Sequence, residues 1–194
     1  MAITYLGTAS SAVYSDTATT IDITHTVTAG TELVLLAGLG RDQAISSVGA
    51  WTGTDTWVEV VDFAGSGAND IDLKVWAIVN PTAATDTITV TLEGSSTWQA
   101  VCMANFAGNV TTSEAAAVSL DNLAYTPPAT FANPTTVASG GSSGNGLVVV
   151  GGHISDEGDN TSSIDNSFVE IIDVGTGGGD TGNSDGQLYM AYLL

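Results

Sequence analysis

Positive charge is almost missing from this sequence. Arg41 and Lys74 are its only basic side chains, against 21 Asp and Glu, and the formal net charge is −19. Binding a phosphate backbone takes clustered Lys and Arg, so nucleic acid is excluded as a partner, and an anionic membrane surface would repel the chain. Cysteine is as scarce. Cys102 stands alone, so no disulfide can form within the chain. In WQAVCMANF it shares an alternate set with Trp98, Ala100, Ala104 and Phe106, which predicts a buried, inert thiol. No apolar run is long enough to span a bilayer, and MAITYLGTAS lacks the basic start and apolar core of a secretory leader. A soluble product made in the cytoplasm is therefore expected. Helical periodicity is nearly absent as well.

Strand signals take its place. Apolar residues alternate, or run in short blocks, between turn clusters such as GSGAND, NPTAATD, EGSST and GTGGGDTGNSDG. That spacing, with abundant Thr, Val and Ile, is the pattern of an all-β chain. Strands are predicted over 3–8, 19–27, 32–40, 45–51, 56–64, 71–79, 86–93 and 98–108, then over 116–123, 132–138, 146–154, 167–174 and 186–194. In 71–79, Ile71, Leu73, Val75, Ala77 and Val79 form a core face, while Asp72, Lys74 and Trp76 are expected on a mostly wet one. TSEAAAV at 112–118 is the one patch with any helical character.

The 194 residues suit one β-sandwich, and no segment reads as a clean linker. Charged residues are only 12% of the chain, about half the usual share. Their one-sided sign fits a protein from marine or otherwise saline surroundings, where salt screens the self-repulsion.

The chain also repeats itself. WVEVVD at 57–62 returns as FVEIID at 168–173, and ELVLLAGLGRD at 32–42 matches GLVVVGGHISD at 146–156. Each glutamate strand is followed by a Gly/Asp loop and an apolar strand, IDLKVWAIV or GQLYMAYLL. Residues 20–80 and 132–194 thus read as two copies of one β unit, expected to stack face to face. Glu59 and Glu170 are then equivalent by repetition. A glycosidase pair needs carboxyls roughly 5–10 Å apart across one cleft, and equivalent strands need not supply that, so no catalytic residue is assigned.

Other chemistry is thin. His25 alternates with Ile21, Ile23 and Val27 and is expected as a satisfied core or interface histidine; His153 ends an apolar strand. Two distant histidines make no zinc motif. GGSSG at 140–144 has the letters of a GxSxG elbow but reads as a linker-like loop without the strand-to-helix setting, and GTGGGDTG at 175–182 lacks the Lys-Ser/Thr ending of a phosphate loop. Calcium is the one metal with a case. ISDEGDNTSSID offers Asp156, Asp159 and Asp165 beside Glu157, and GGGDTGNSDG offers Asp180 and Asp185, though neither has EF-hand spacing. Trp51, Trp57, Trp76 and Trp98 could stack on sugars, or pack in the core.

The apolar strand ending in NP (IDLKVWAIVNP), followed by DTITVTLEG, WQAVCMANFAG and the closing GQLYMAYLL, resembles the jelly-roll β-sandwich domains of tailed-phage virion proteins. The resemblance implies a jelly-roll fold and a non-enzymatic structural role: a capsid decoration, cement or spike protein on the virion exterior. Its partners would be the major capsid protein or other virion proteins, in a homo-oligomer such as a trimer. The alternative is a carbohydrate-binding module, either a receptor-binding tail component or a lectin.

Overall fold

A computed structural model of the chain describes residues 4–14, 18–41, 45–63, 71–94, 99–108, 147–155, 168–175 and 185–193. Every regular element among them is a β-strand, and every pairing is antiparallel. In chain order these are β1 (Thr4–Tyr14), β2 (Thr20–Val27), β3 (Leu33–Arg41), β4 (Ile45–Val48), β5 (Val58–Phe63), β6 (Ile71–Val79), β7 (Ala84–Leu92), β8 (Gln99–Ala107), β9 (Leu147–Ser155), β10 (Phe168–Gly175) and β11 (Asp185–Leu193). The predicted strands at 116–123 and 132–138, and the helical patch at 112–118, lie outside the described residues.

Three sheets form. A five-stranded sheet has the order β1-β8-β3-β6-β5, and three-stranded sheets have the orders β2-β7-β4 and β10-β11-β9. The five-stranded sheet is the middle layer. On one of its faces Leu35, Leu73, Ala104 and Phe106 meet Val174, Leu188 and Met190 of the β10-β11-β9 sheet. On the other, Leu36, Trp76, Ile78 and Met103 meet Ile23, Ile45, Ile88 and Val90 of the β2-β7-β4 sheet.

A middle layer explains why β3 and β8 are apolar at almost every position: a strand covered on both faces has no wet side to alternate with. The wet face expected for β6 is corrected on the same ground. Trp76 and Ile78 are 5% and 4% exposed because the β2-β7-β4 sheet covers them. Each fully buried Leu or Ile in such a position contributes about 1.5–3 kcal/mol of transfer free energy.

The outer β2 strand does alternate. Ile21, Ile23, His25 and Val27 point inward, and Thr20, Asp22, Thr24 and Thr26 point out. Thr24 and Thr26 meet Thr87 and Thr85 across the ladder at Oγ1–Oγ1 distances of 2.7 and 2.8 Å, and Thr89 donates to Asp22 at 2.6 Å. Paired hydroxyls of this kind tie neighbouring strands by a few tenths to 1 kcal/mol each, roughly.

Two boundaries depart from expectation. β1 runs on to Tyr14, beyond the predicted end at residue 8, with a register shift between Tyr5 and Ala9 that lets it follow β8. β4 stops at Val48, short of residue 51, because Trp51 enters a tight turn bridged to Asp55 with positive φ at Thr52 (48°) and Gly53 (75°). Gly38 has a packing role: a Cβ there would collide with Ile45 Cδ1, so the glycine lets β4 lie close on β3.

Candidate functional site

The groups with the most chemistry meet in the seam between β2 and the middle sheet. His25, on the inner face of β2, is 1% exposed. Its Nδ1 lies 2.9 Å from Ser10 Oγ on β1, and its Nε2 lies 2.9 Å from Asn105 Oδ1 on β8. Asn105 Nδ2 donates to the Thr26 carbonyl at 2.8 Å.

This last bond fixes the protons. A carbonyl only accepts, so the amide nitrogen of Asn105 must face Thr26 and its oxygen must face the ring. His25 Nε2 therefore carries the hydrogen, Nδ1 is left with its lone pair, and the Ser10 hydroxyl donates to it. Burial pulls the His25 pKa below its ordinary value, and the Asn105 hydrogen bond offsets only part of that.

The cluster continues outward. The Trp51 ring meets His25 edge-on at 6.3 Å, and its Nε1 donates to the Thr82 carbonyl at 2.8 Å. Asp55 accepts from Thr82 N at 2.6 Å and from Thr82 Oγ1 at 3.2 Å. Asp86, the cross-strand partner of His25, accepts from Thr52 N at 2.8 Å. Serine, imidazole and amide stand in the order nucleophile, base and orienting group. The ring is nevertheless enclosed and both its nitrogens are occupied, so the arrangement works as a tie between β1, β2 and β8. Sequence alternation placed His25 inside; its partners were not readable, because it meets Ser10 and Asn105, on the paired strands β1 and β8, only through sheet stacking.

The repeated glutamates are far apart. Glu59 is on β5, at one margin of the middle sheet, whereas β10, which carries Glu170, packs over β1 and β8 toward the other. Three inter-strand steps between β5 and β8 amount to about 14 Å, too wide for a glycosidase pair. Both glutamates are exposed. Lys74 Nζ bridges Glu59 Oε2 and Asp62 Oδ2, each at 3.3 Å. Burial alone would lower the Lys74 pKa, but the hydrogen bonds and charges of the two carboxylates outweigh it and hold it above the ordinary value.

Cys102 is 0% exposed and burial pushes its thiol up to about 12, which makes it a poor nucleophile. Trp51, Trp57 and Trp76 are buried at 0%, 9% and 5% exposure and present no open ring face to a sugar; Trp98 lies outside the described residues. The calcium candidates Asp156, Asp159 and Asp165, with Glu157 and Asp180, also lie outside them, and of Asp185 only the strand position is described. Among the described residues no three His, Cys, Asp or Glu side chains come together as a metal cluster. Gln99 is a different anomaly: it is 1% exposed, yet neither side-chain amide atom has a hydrogen-bond partner. Set against known protein families, curated proteins and solved structures, the chain matches none of them significantly.

Proposed function

We propose that this chain is a non-enzymatic structural protein of a virus particle, an exterior decoration, cement or spike component of a tailed virus from marine or saline surroundings, built on a jelly roll. The observation that carries the fold part of this reading is the pairing of β1 with β8, β2 with β7 and β3 with β6. It is the pattern of one long hairpin rolled up, with successive pairs falling in alternate sheets, as a jelly roll requires. A complete roll would pair β4 with β5; here β5 joins β6 instead. The resemblance to phage virion sandwiches in IDLKVWAIVNP and WQAVCMANFAG supports the role.

The third layer supports descent from an internal duplication. β10-β11-β9 follows the same order as β5-β6-β3, and Glu170↔Ala191 stands where Glu59↔Trp76 does. Each copy shifts register just after its glutamate, between Glu59 and Val61 and between Glu170 and Ile172. The added sheet covers what would otherwise be an apolar outer face of the roll.

A charge of −19 suits a component held outside the shell, away from packaged nucleic acid. The major capsid protein is the proposed partner, and a trimer on its lattice the proposed assembly. Mass spectrometry of gradient-purified particles tests the role. Recovery at a fixed ratio to the major capsid protein is the expected result; absence from the particles would overturn it.

A further inference from the structure

The two seams of the middle sheet differ in kind. The buried polar side chains of β2 and β8, namely His25, Gln99 and Asn105, all lie on the side of the β2-β7-β4 sheet. The opposite seam, against β10 and β11, is closed among the described residues by aliphatic and aromatic side chains and the inert Cys102. Among the described residues, only the first seam carries an imidazole, a side chain whose charge can change between neutral and mildly acidic pH.

We propose that His25 is a pH-sensitive clasp that holds the β2-β7-β4 layer on the middle sheet while its ring is neutral and loosens that layer, and only that layer, when the ring is protonated. The geometry carries this. The neutral ring satisfies a donor and an acceptor at once, joining Ser10 of β1 and Asn105 of β8 to β2. A proton added at Nδ1 makes both nitrogens donors. Ser10 must then turn its hydroxyl to accept, and a full charge sits in a site closed to water.

The groups around the ring offer it little relief. β1 and β8 face it with the uncharged Ser10 and Asn105, and the 51–55 turn faces it with Trp51. On β7 the cross-strand Asp86 is engaged by Thr52 N–H and Thr87 N–H, and at the entry to β3 Glu32 accepts from Gly108 N–H. The depressed His25 pKa agrees in direction.

The sign follows from linkage. A histidine whose folded pKa lies below its unfolded value contributes stability that is complete above about pH 6.5 and is lost as pH falls from there to the folded value.

The test is amide hydrogen exchange on the full chain near pH 7.5 and near pH 5.5, corrected for the intrinsic pH dependence of exchange. Protection in β2 should fall several-fold relative to β11, with a ceiling of about tenfold for one histidine of unfolded pKa about 6.5, and in His25→Gln, whose amide stays uncharged, the differential should vanish. Equal losses in β2 and β11, or a differential that survives in His25→Gln, would overturn the proposal. Should that variant not fold, the ring of the wild-type chain answers by nitrogen NMR. An Nε2–H tautomer titrating below 6.5 is expected; an Nδ1–H tautomer, or a midpoint at or above 6.5, contradicts the clasp.

Discussion

At the scale of single residues, most buried polar groups are satisfied, and the exceptions make sharp predictions. Gln99 keeps both amide atoms buried without partners, so Gln99→Met, which holds the volume and removes the polar atoms, should raise stability by about 1–3 kcal/mol in a urea titration. Thr52 is β-branched at a φ of 48°, a region in which asparagine is far more comfortable. Thr52→Asn keeps the N–H donated to Asp86 and should gain about 0.5–1 kcal/mol, read as a higher Tm. Cys102 should resist alkylation in the native state and react only on unfolding. What was legible at this scale was which side chains go inside: His25 and Cys102 follow from strand alternation alone. Which side chains they meet was not, since Ser10, His25 and Asn105 sit on three strands brought together by two different sheets.

For the strands themselves the sequence is a good guide, because period-2 patterning and Gly/Asp turns are local signals. Nearly every described strand falls on a predicted one, with ends displaced where register or turn geometry intervenes, as at β1 and β4. The second face of β6 was misread for a physical reason. Lys74 and Asp72 on that face look wet in sequence, yet Lys74 is drawn along the sheet to Glu59 and Asp62 while Trp76 and Ile78 are covered. Both acidic partners are largely exposed, so Lys74→Met should cost no more than about 1 kcal/mol. By contrast Leu36→Ala, in a strand covered on both sides, should cost about 2–5 kcal/mol. At Gly38 the collision is with the flexible end of Ile45, so Gly38→Ala should be mild, whereas Gly38→Val should cost about 1–3 kcal/mol and loosen β4. Denaturant midpoints for these variants would rank them.

Across the whole molecule, three layers around a doubly buried sheet were only partly foreseeable. ELVLLAGLG and WQAVCMANFAG are apolar on both alternate sets, which signals burial of two faces, but the identity of the second cover depended on where β9, β10 and β11 pack. The self-repulsion of a −19 chain should make stability rise with salt, most steeply at low ionic strength, and a series of melting temperatures from dilute buffer to about 1 M salt would read this. The proposed place of the chain, on the outside of a tailed virus, is tested most directly by cryo-electron microscopy of the particles. Repeated exterior density on the capsid lattice that accepts the three-layer body is the predicted result. Particles whose outer surface has no such density, with the chain absent or confined to the interior, would contradict it.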